Sequence, residues 1–261
     1  MKAEVFNQKF FIGTSWKMNK TNEEAVAYIQ ELAAEIGKLD ALQEVQLFVL
    51  PPFTAVKDVA EAIAAAKLPV LYGAQNVCWA ENGAWTGEVS ADMLKALGCS
   101  LVEVNHQERR KFFNETNETA NLKIRQILKY GMRPIVCFGD EERCAWAETE
   151  KFLQQQMDEL LAEVPAEQAA ALILAYEPRW AIGKAAAAPV EVIDKVHSFV
   201  RCVLTKKYGR DVSAAVRILY GGSVTVQNAR AVLQVLDVDG LFIGRAALTA
   251  AGYVEIVRTA F

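Results

Sequence analysis

Three ionisable side chains in this sequence each follow a short apolar run, and together they could move a proton between carbon atoms. Glu177 ends the apolar run at residues 172–176 and is followed by Pro178, which places it at a strand exit before a loop. Lys17 and His106 follow two other apolar runs. Alone, each is more often a structural or solvated side chain. Together they suit proton abstraction beside a carbonyl, with Glu177 as base, His106 as proton shuttle and Lys17 stabilising negative charge.

Two turns that contain glycine follow the last two apolar runs. The sequence YGGSV spans residues 220–224, and GRA spans residues 244–246. Backbone N–H groups in such turns can approach a phosphate closely, because glycine has no side chain, and a helix N-terminus beside them adds a favourable dipole. We therefore predict a phosphate site here, although a tight turn without a ligand would explain either turn alone.

These groups need elements that bring them together, and short apolar runs alternate with longer amphipathic runs along the chain. The predicted strands are residues 10–16, 45–50, 70–75, 100–105, 133–138, 172–176, 217–220 and 240–243. This alternation predicts an α/β fold, a single (β/α)8 barrel domain over residues 1–261. An open doubly wound sheet is the rival fold, but no G-x-G-x-x-G follows the first strand.

The amphipathic runs predict the helices between these strands. They are residues 22–36, 54–65, 118–130, 146–162, 190–207 and 226–236, with Asn22, Thr54 and Thr225 placed as N-terminal caps. In such a barrel, active-site groups lie at the C-terminal ends of the strands. The lysine, the histidine, the glutamate and both glycine turns all follow predicted strands, so they would meet on one rim.

Composition limits the kinds of partner. The formal charge of −4 argues against nucleic acid or an anionic membrane as partner, while a local pocket can still bind a small anion. No apolar stretch approaches the ~20 residues that span a bilayer. Five scattered cysteines and two histidines form no metal-binding pattern, and the cysteines fit reduced thiols. We expect a cytoplasmic protein that uses no metal and no organic cofactor.

Four motifs carry a resemblance to a known family. Residues 15–19 (SWKMN), 106–110 (HQERR), 175–183 (AYEPRWAIG) and 220–224 (YGGSV) are similar, in this order, to signatures of the triosephosphate isomerase family. The similarity runs from about residue 10 to residue 257. It implies a barrel that catalyses aldose–ketose isomerisation of a short-chain sugar phosphate through an enediolate. It also implies a homodimer, with residues 74–88 resembling the interdigitating loop that reaches the partner's active site near Lys17.

The resemblance assigns roles to individual residues. It makes Glu177 the base, His106 the electrophile and Lys17 the group that stabilises negative charge. Triosephosphate isomerase is a well-known example of a glutamate base that acts with a neutral histidine. Glu108 would support Lys17. The remaining residues would bind substrate and phosphate: Ser15, Gly183, Ser223, Gly244 and Arg245. Residues 178–186 would form a closing lid that Tyr220 and Ser223 touch when it is shut.

Several positions depart from the family pattern. Ser15 stands where the family usually has asparagine, Gln107 where it has serine beside the histidine, and Arg245 where it has the second glycine of the phosphate turn. The lid after Gly183 is shorter by about one residue and rich in alanine. One alternative is therefore a catalytically weak homologue that binds a phosphorylated ligand or a partner. Another phosphate-binding barrel is a more distant alternative.

A subgroup of the family fits these departures. Residues 14–21, 84–86 and 242–245 are more similar to the paralogues that isomerise four-carbon sugar phosphates. Those paralogues resemble L-erythrulose-1-phosphate isomerase of erythritol catabolism, whereas the family's other members serve glycolysis. The smaller Ser15 leaves room for one more carbon. The sequence therefore indicates a three-carbon or a four-carbon substrate without deciding between them.

Overall fold

A computed structural model describes residues 8–39, 42–184 and 186–261 of this chain. It contains eight strands within these ranges: β1 Phe10–Ser15, β2 Val45–Leu50, β3 Val70–Ala74, β4 Leu101–Val104, β5 Arg133–Phe138, β6 Ile173–Tyr176, β7 Arg217–Tyr220 and β8 Gly240–Ile243. Every strand is parallel to its neighbours, and β1 pairs with β8, so the sheet closes on itself. The predicted (β/α)8 barrel is confirmed, and each predicted strand lies within one residue of an observed one.

Helices cover the outside of the barrel. They are α1 Asn22–Ile36, α2 Val56–Ala66, α3 Ala91–Ala96, α4 Gln107–Phe113, α5 Asn117–Lys129, α6 Trp146–Leu160, α7 Ala166–Ala169, α8 Val190–Tyr208, α9 Arg210–Ala215, α10 Val226–Leu233 and α11 Ala250–Val257. All six predicted helices are present. The sequence analysis gave no prediction for the others, most of which are too short to show a helical period.

Two of the three predicted caps are wrong. Helix α1 is capped by Thr21. The Thr21 hydroxyl accepts a hydrogen bond from the Glu24 backbone N–H, and the Glu24 carboxylate accepts one from the Thr21 backbone N–H. Asn22 instead donates to the Thr54 carbonyl oxygen. Thr54 lies within the 3₁₀ turn Phe53–Ala55, which leads directly into α2, so it caps nothing. Thr225 does precede α10 as its cap, and its N–H donates to Asn228.

The barrel interior is filled by alternate residues of the strands. Phe48 stacks on Phe11 with ring centroids 4.7 Å apart, and Phe242 lies 5.8 Å from it on the other side. Gly13 makes room for this stack, because a methyl group there would lie 2.2 Å from the Phe48 ring. Leucine, isoleucine and alanine complete the layer, so the lower interior is closely packed and apolar.

Parallel strands with helices outside and side chains inside are buried on both faces, which explains why their sequences are continuous apolar runs.

Among the described helices, none has both the length and the hydropathy needed to cross a membrane. A single domain over residues 1–261 stays a prediction, since residues 1–7, 40, 41 and 185 lie outside the description.

Candidate active site

The C-terminal ends of the strands surround a cavity of about 660 Å³. All nine residues predicted for the site line this cavity: Ser15, Lys17, His106, Glu108, Glu177, Gly183, Ser223, Gly244 and Arg245. They come from five different strand ends, and the barrel brings them together because all eight strands run in the same direction. The fold therefore brings these groups together on one rim, as predicted.

Lys17 lies in a loop with strained backbone. Its φ of 56° falls in the left-handed region, which residues other than glycine rarely adopt. The side-chain amide of Gln75 donates to the carbonyl oxygens of Lys17 at 3.0 Å and of Leu50 at 2.9 Å, so the loop is fixed to two neighbouring strands. Lys17 Nζ in turn donates to Glu108 Oε1 at 2.7 Å. The ammonium group is thereby held at the cavity wall.

The charge on Lys17 is secured by its neighbours. Burial alone would lower the pKa of Lys17, but the hydrogen bond to Glu108 and the charges of Glu108, Glu177 and Glu103 outweigh burial and leave the pKa raised. The lysine therefore stays cationic throughout the neutral pH range. It can stabilise an oxyanion without giving up a proton.

The tautomer of His106 follows from its position before a helix. His106 is the N-cap of α4, and its Nδ1 accepts a hydrogen bond from the backbone N–H of Glu108 at 3.2 Å. Nδ1 therefore carries a lone pair, and the proton of the neutral ring is on Nε2. Burial, together with the charge of Lys17, lowers the pKa of His106 to about 4. The ring is neutral near pH 7 and directs an N–H donor into the site.

Glu177 is a buried carboxylate that faces this imidazole. It is 7 % exposed, and its Oε2 lies 3.4 Å from His106 Nε2 without satisfactory hydrogen-bond geometry. No described residue satisfies Oε2. Gly221 permits this position, because a Cβ at residue 221 would lie 2.9 Å from the Glu177 Cγ. An unsatisfied buried carboxylate oxygen beside a cavity is suited to accept a proton from a bound molecule.

Burial is also the main cause of a large change in the basicity of Glu177. Loss of water, followed by the charge of Glu103, raises the pKa of Glu177 to about 8. A carboxylate with this pKa is a much stronger base than one in water. The higher basicity makes Glu177 better suited to take a proton from a carbon beside a carbonyl.

The turns after β7 and β8 lie on the same rim as these groups. Ser223 has a φ of 49° and its Oγ donates to the Ala181 carbonyl oxygen at 2.7 Å, so its hydroxyl proton is already used. The backbone N–H of Ser223 is therefore the group that can donate a hydrogen bond to a bound anion. Gly183 and Gly244 line the same part of the cavity, and Arg245 begins the 3₁₀ turn Arg245–Ala247 with an exposed side chain.

The segment predicted as a lid is anchored at both of its ends. At its start, Trp180 Nε1 donates to Asp140 Oδ2 at 2.6 Å, and the Tyr176 hydroxyl donates to Asp140 Oδ1 at 2.8 Å. Beyond its end, the N–H of Ala188 donates to the Tyr220 hydroxyl at 2.8 Å. With the Ser223 contact, these bonds hold the segment over the cavity; residue 185 of the predicted lid lies outside the described residues.

Comparisons with known proteins agree with this geometry. The family model described as triosephosphate isomerase matches residues 10–260. The chain belongs to the triosephosphate isomerase family. It is 40 % identical over 253 residues to the triosephosphate isomerase of Alkaliphilus oremlandii, covering 96 % of this chain and 99 % of that protein. It is 42 % identical over 255 residues to the L-erythrulose-1-phosphate isomerase of Mesorhizobium japonicum, covering 96 % and 97 %.

A solved structure gives the same result for the fold. The crystal structure of triosephosphate isomerase from Bartonella henselae superposes with a TM-score of 0.84 at 29 % identity, covering 96 % of this chain and 98 % of that one. Membership of the triosephosphate isomerase family confirms the prediction of an isomerase. Both kinds of relative are isomerases of sugar phosphates by name, so the family alone does not distinguish a three-carbon from a four-carbon substrate.

Sequence reasoning missed three residues that shape this site. Gln75 fixes the Lys17 loop, Asp140 anchors the lid, and Glu103 hydrogen-bonds to Ser15. Glu103 left a signal in the sequence, because it is a carboxylate within an apolar strand, in phase with the residues that face the barrel interior. Within the described residues, no group of three potential ligands is arranged to hold a metal ion.

Proposed function

We propose that this chain is a sugar-phosphate isomerase whose substrate is a four-carbon ketose phosphate, L-erythrulose 1-phosphate. The observation that carries the chemistry is the unsatisfied Oε2 of Glu177, which faces the neutral His106 in the same cavity as Lys17. The observation that favours a fourth carbon is Ser15, a small side chain at the cavity floor where the family usually has asparagine. The 42 % identity to the M. japonicum enzyme is compatible with this choice.

In the proposed mechanism, Glu177 removes a proton from the carbon next to the carbonyl on the side away from the phosphate. The C–H electron pair becomes the new C=C bond of an enediolate, and the carbonyl oxygen takes the negative charge. His106 Nε2–H and the Lys17 ammonium stabilise that oxygen, and the imidazole moves a proton between the two oxygens. The protonated Glu177 then returns its proton to the former carbonyl carbon. No external oxidant or reductant is required.

The length of the substrate decides what kind of product results. Three-carbon glycerone phosphate has a terminal hydroxymethyl group at the reacting carbon, so the carbonyl moves to the chain end and gives an aldose. L-Erythrulose 1-phosphate has its carbonyl at C2, and the reacting carbon away from the phosphate is C3. The same proton shift then moves the carbonyl from C2 to C3, and the product is again a ketose phosphate. An assay for an aldehyde would miss this reaction.

The phosphate group of the substrate would bind at the turns after β7 and β8. The backbone N–H groups of Gly183, Ser223 and Gly244 would surround it, and Arg245 would add a positive charge. Anchoring of the lid through Ser223 and Tyr220 would then exclude water from the enediolate. Exclusion of water matters because an exposed enediolate can eliminate its neighbouring phosphate.

A homodimer is part of this proposal. The side chain of Met18, next to the proposed catalytic lysine, is 97 % exposed. Trp79 and Trp85 pack edge-to-face against each other, with ring centroids 5.5 Å apart, and both are substantially exposed. Large apolar side chains that are this exposed are typical of a surface that a partner covers. A cytoplasmic location and a place in erythritol catabolism rather than glycolysis complete the proposal.

Steady-state kinetics with both substrates test this function. The purified protein would be given L-erythrulose 1-phosphate and glycerone phosphate, with products and solvent deuterium incorporation followed by NMR. A Glu177→Gln variant purified in parallel controls for isomerase carried over from the expression host. We expect kcat/KM to favour the four-carbon substrate at least ~10-fold. A preference for glycerone phosphate would assign the triose reaction instead, and inactivity on both would favour the catalytically weak homologue.

A further inference from the structure

A second buried carboxylate lies within the barrel, and apart from its effect on the pKa of Glu177 it has no role in the mechanism above. Glu103 is on β4 with its side chain inside the barrel, and it is 2 % exposed. Its Oε2 accepts a hydrogen bond of 2.7 Å from the Ser15 hydroxyl, and its Oε1 accepts a contact of 3.9 Å from the Cys137 thiol. The contacts of this carboxylate are therefore a hydroxyl and a thiol rather than a cation. Such burial is costly, so we asked what the carboxylate does.

The hydrogen bond to Glu103 fixes the chemical character of Ser15. A serine hydroxyl has one proton and two lone pairs, and an ionised carboxylate can only accept. Once the Ser15 proton is directed to Glu103, only lone pairs of Ser15 Oγ remain to face the cavity that Ser15 lines. Ser15 thus presents an acceptor. The asparagine usual in the family has both an amide N–H₂ donor and a carbonyl oxygen acceptor, so it is not restricted to accepting a hydrogen bond.

An acceptor at this position distinguishes between substrate oxygens. Carbonyl, enediolate and phosphate oxygens without a proton can only accept hydrogen bonds, so Ser15 has nothing to offer them. A substrate hydroxyl group can donate to it. Compared with glycerone phosphate, L-erythrulose 1-phosphate carries one more carbon, and with it one more hydroxyl group that does not take part in the proton shift.

The place of the pair in the barrel agrees with this role. Glu103 precedes His106 on the same strand exit, and its charge acts on both Lys17 and Glu177. Ser15 and Glu103 lie within β1 and β4, whereas Lys17, His106 and Glu177 follow their strands, so the pair lies deeper in the barrel than the reacting groups. The predicted phosphate turns follow β7 and β8. A chain extended beyond the reacting carbon, away from its phosphate, would reach the floor of the cavity.

We infer that Ser15, oriented by Glu103, accepts a hydrogen bond from the terminal hydroxyl group of a four-carbon substrate and so determines substrate length. This inference rests on the proposed function. Ser15 is the specificity residue, and Glu103 is a positioning residue that acts through it. The pair restricts this position to accepting a hydrogen bond and replaces a larger side chain by a smaller one.

Four variants test the pair by the ratio of kcat/KM for L-erythrulose 1-phosphate to kcat/KM for glycerone phosphate. Assays at about pH 8.5 keep Glu103 mostly ionised, since burial raises its pKa to about 7. We expect Ser15→Ala to lower the ratio ~10-fold and Ser15→Asn to lower it further. Glu103→Leu should lower the ratio by about 3-fold or more, because the Ser15 proton is then free to turn into the cavity. The matched control is Thr14→Val, which should leave the ratio unchanged. Thr14 precedes Ser15 on β1 and has a buried hydroxyl that no described residue satisfies.

A double variant separates positioning from packing. In Ser15→Ala, the further change Glu103→Leu should leave the ratio unchanged, because no hydroxyl remains to be oriented. If Glu103→Leu does not fold, the two Ser15 variants decide the question. Wild-type turnover of L-erythrulose 1-phosphate with an unchanged ratio in both Ser15 variants would overturn this inference alone. Absence of wild-type turnover of that substrate would overturn the proposed function and this inference together.

Discussion

The lower and upper parts of the barrel interior are built by the same strands and have opposite chemistry. In the lower part, Phe11 and Phe48 stack in an apolar layer, and Phe242 packs against Phe48 and also lines the site cavity. At the upper end, the interior positions of β1 and β4 are Ser15 and Glu103, and Glu177 follows β6. Alternation along each strand places both sets of side chains inside.

This contrast shows where the fold gains stability and where it gives stability up. The aromatic layer buries large apolar surfaces without polar atoms, which stabilises the barrel. The upper layer holds an unsatisfied carboxylate oxygen at Glu177 and a strained Lys17 backbone, and each of these costs free energy. Because the two layers belong to one cooperative unit, the lower layer can offset the cost of the upper one. Variants in each layer should therefore affect different measurements.

The largest effect is expected in the lower layer. Phe48→Ala should reduce the free energy of unfolding by about 3–5 kcal/mol, because it leaves a cavity between two aromatic rings. Denaturant unfolding measures this loss, and kcat per folded molecule should stay within about 2-fold of wild type. Leu236→Ala, at a side chain that is 89 % exposed, is the control and should change stability by less than ~0.5 kcal/mol. A loss of kcat at unchanged stability in Phe48→Ala would contradict the division into layers.

The second effect belongs to the upper layer. Glu177→Asp should lower kcat at least ~100-fold, because the shorter side chain withdraws the carboxylate from the reacting carbon. Its unfolding free energy should not fall, since Glu177 Oε2 satisfies no hydrogen bond within the described structure. The exposed Glu150→Asp on α6 is the control, with wild-type activity expected. Near-normal kcat in Glu177→Asp would remove Glu177 as the base.

The pH dependence of kcat/KM should show the raised pKa of Glu177. A base acts only when it has lost its proton, and burial raises the pKa of Glu177 to about 8. Activity of the free enzyme should therefore fall about 10-fold per pH unit below that pKa and level off above it. The pKa of Lys17 is raised, so loss of its charge should not limit activity until above about pH 10.

A change in the neighbouring carboxylate should move this profile. Glu103→Leu removes a negative charge that contributes to the raised pKa of Glu177, so the midpoint should move to lower pH by roughly half a unit. Thr14→Val again serves as control, with an unchanged midpoint. A profile that is flat down to pH 6 in the wild type would show that Glu177 titrates as an ordinary surface carboxylate.

The smallest effect is expected at the rim. Arg245→Gly should raise KM about 5-fold and leave kcat within about 2-fold, since an exposed arginine contributes modestly to binding a phosphate. Arg258→Gly, which also opens an exposed 3₁₀ turn, is the matched control. Inhibition by inorganic phosphate should weaken in parallel with KM in Arg245→Gly. An unchanged phosphate inhibition constant would remove Arg245 from the phosphate site.

The sequence was sufficient for the barrel because its signals are local. Strands buried on both faces appear as uninterrupted apolar runs, and the strand from Val45 to Leu50 was predicted without error. Caps were less predictable: Asn22 and Thr21 are both good capping residues, and the reciprocal bond with Glu24 selected Thr21. Lys17, His106, Glu177 and the two glycine turns could be predicted because strand ends of a parallel barrel share one rim. Ser15, Glu108 and Gly183 were predicted from the resemblance to the family.

Only the tertiary structure determined how those residues are tuned. The neutral tautomer of His106 depends on a backbone N–H at the start of α4, and the raised pKa of Glu177 depends on its burial and on the charge of Glu103. The bond between Ser15 and Glu103 joins residues 88 positions apart. Spacing in the sequence carries no information about such distances, because they are set by closure of the barrel. The sequence determined which groups meet at the rim, whereas their protonation, strain and hydrogen-bond partners were decided by how the strands close around them.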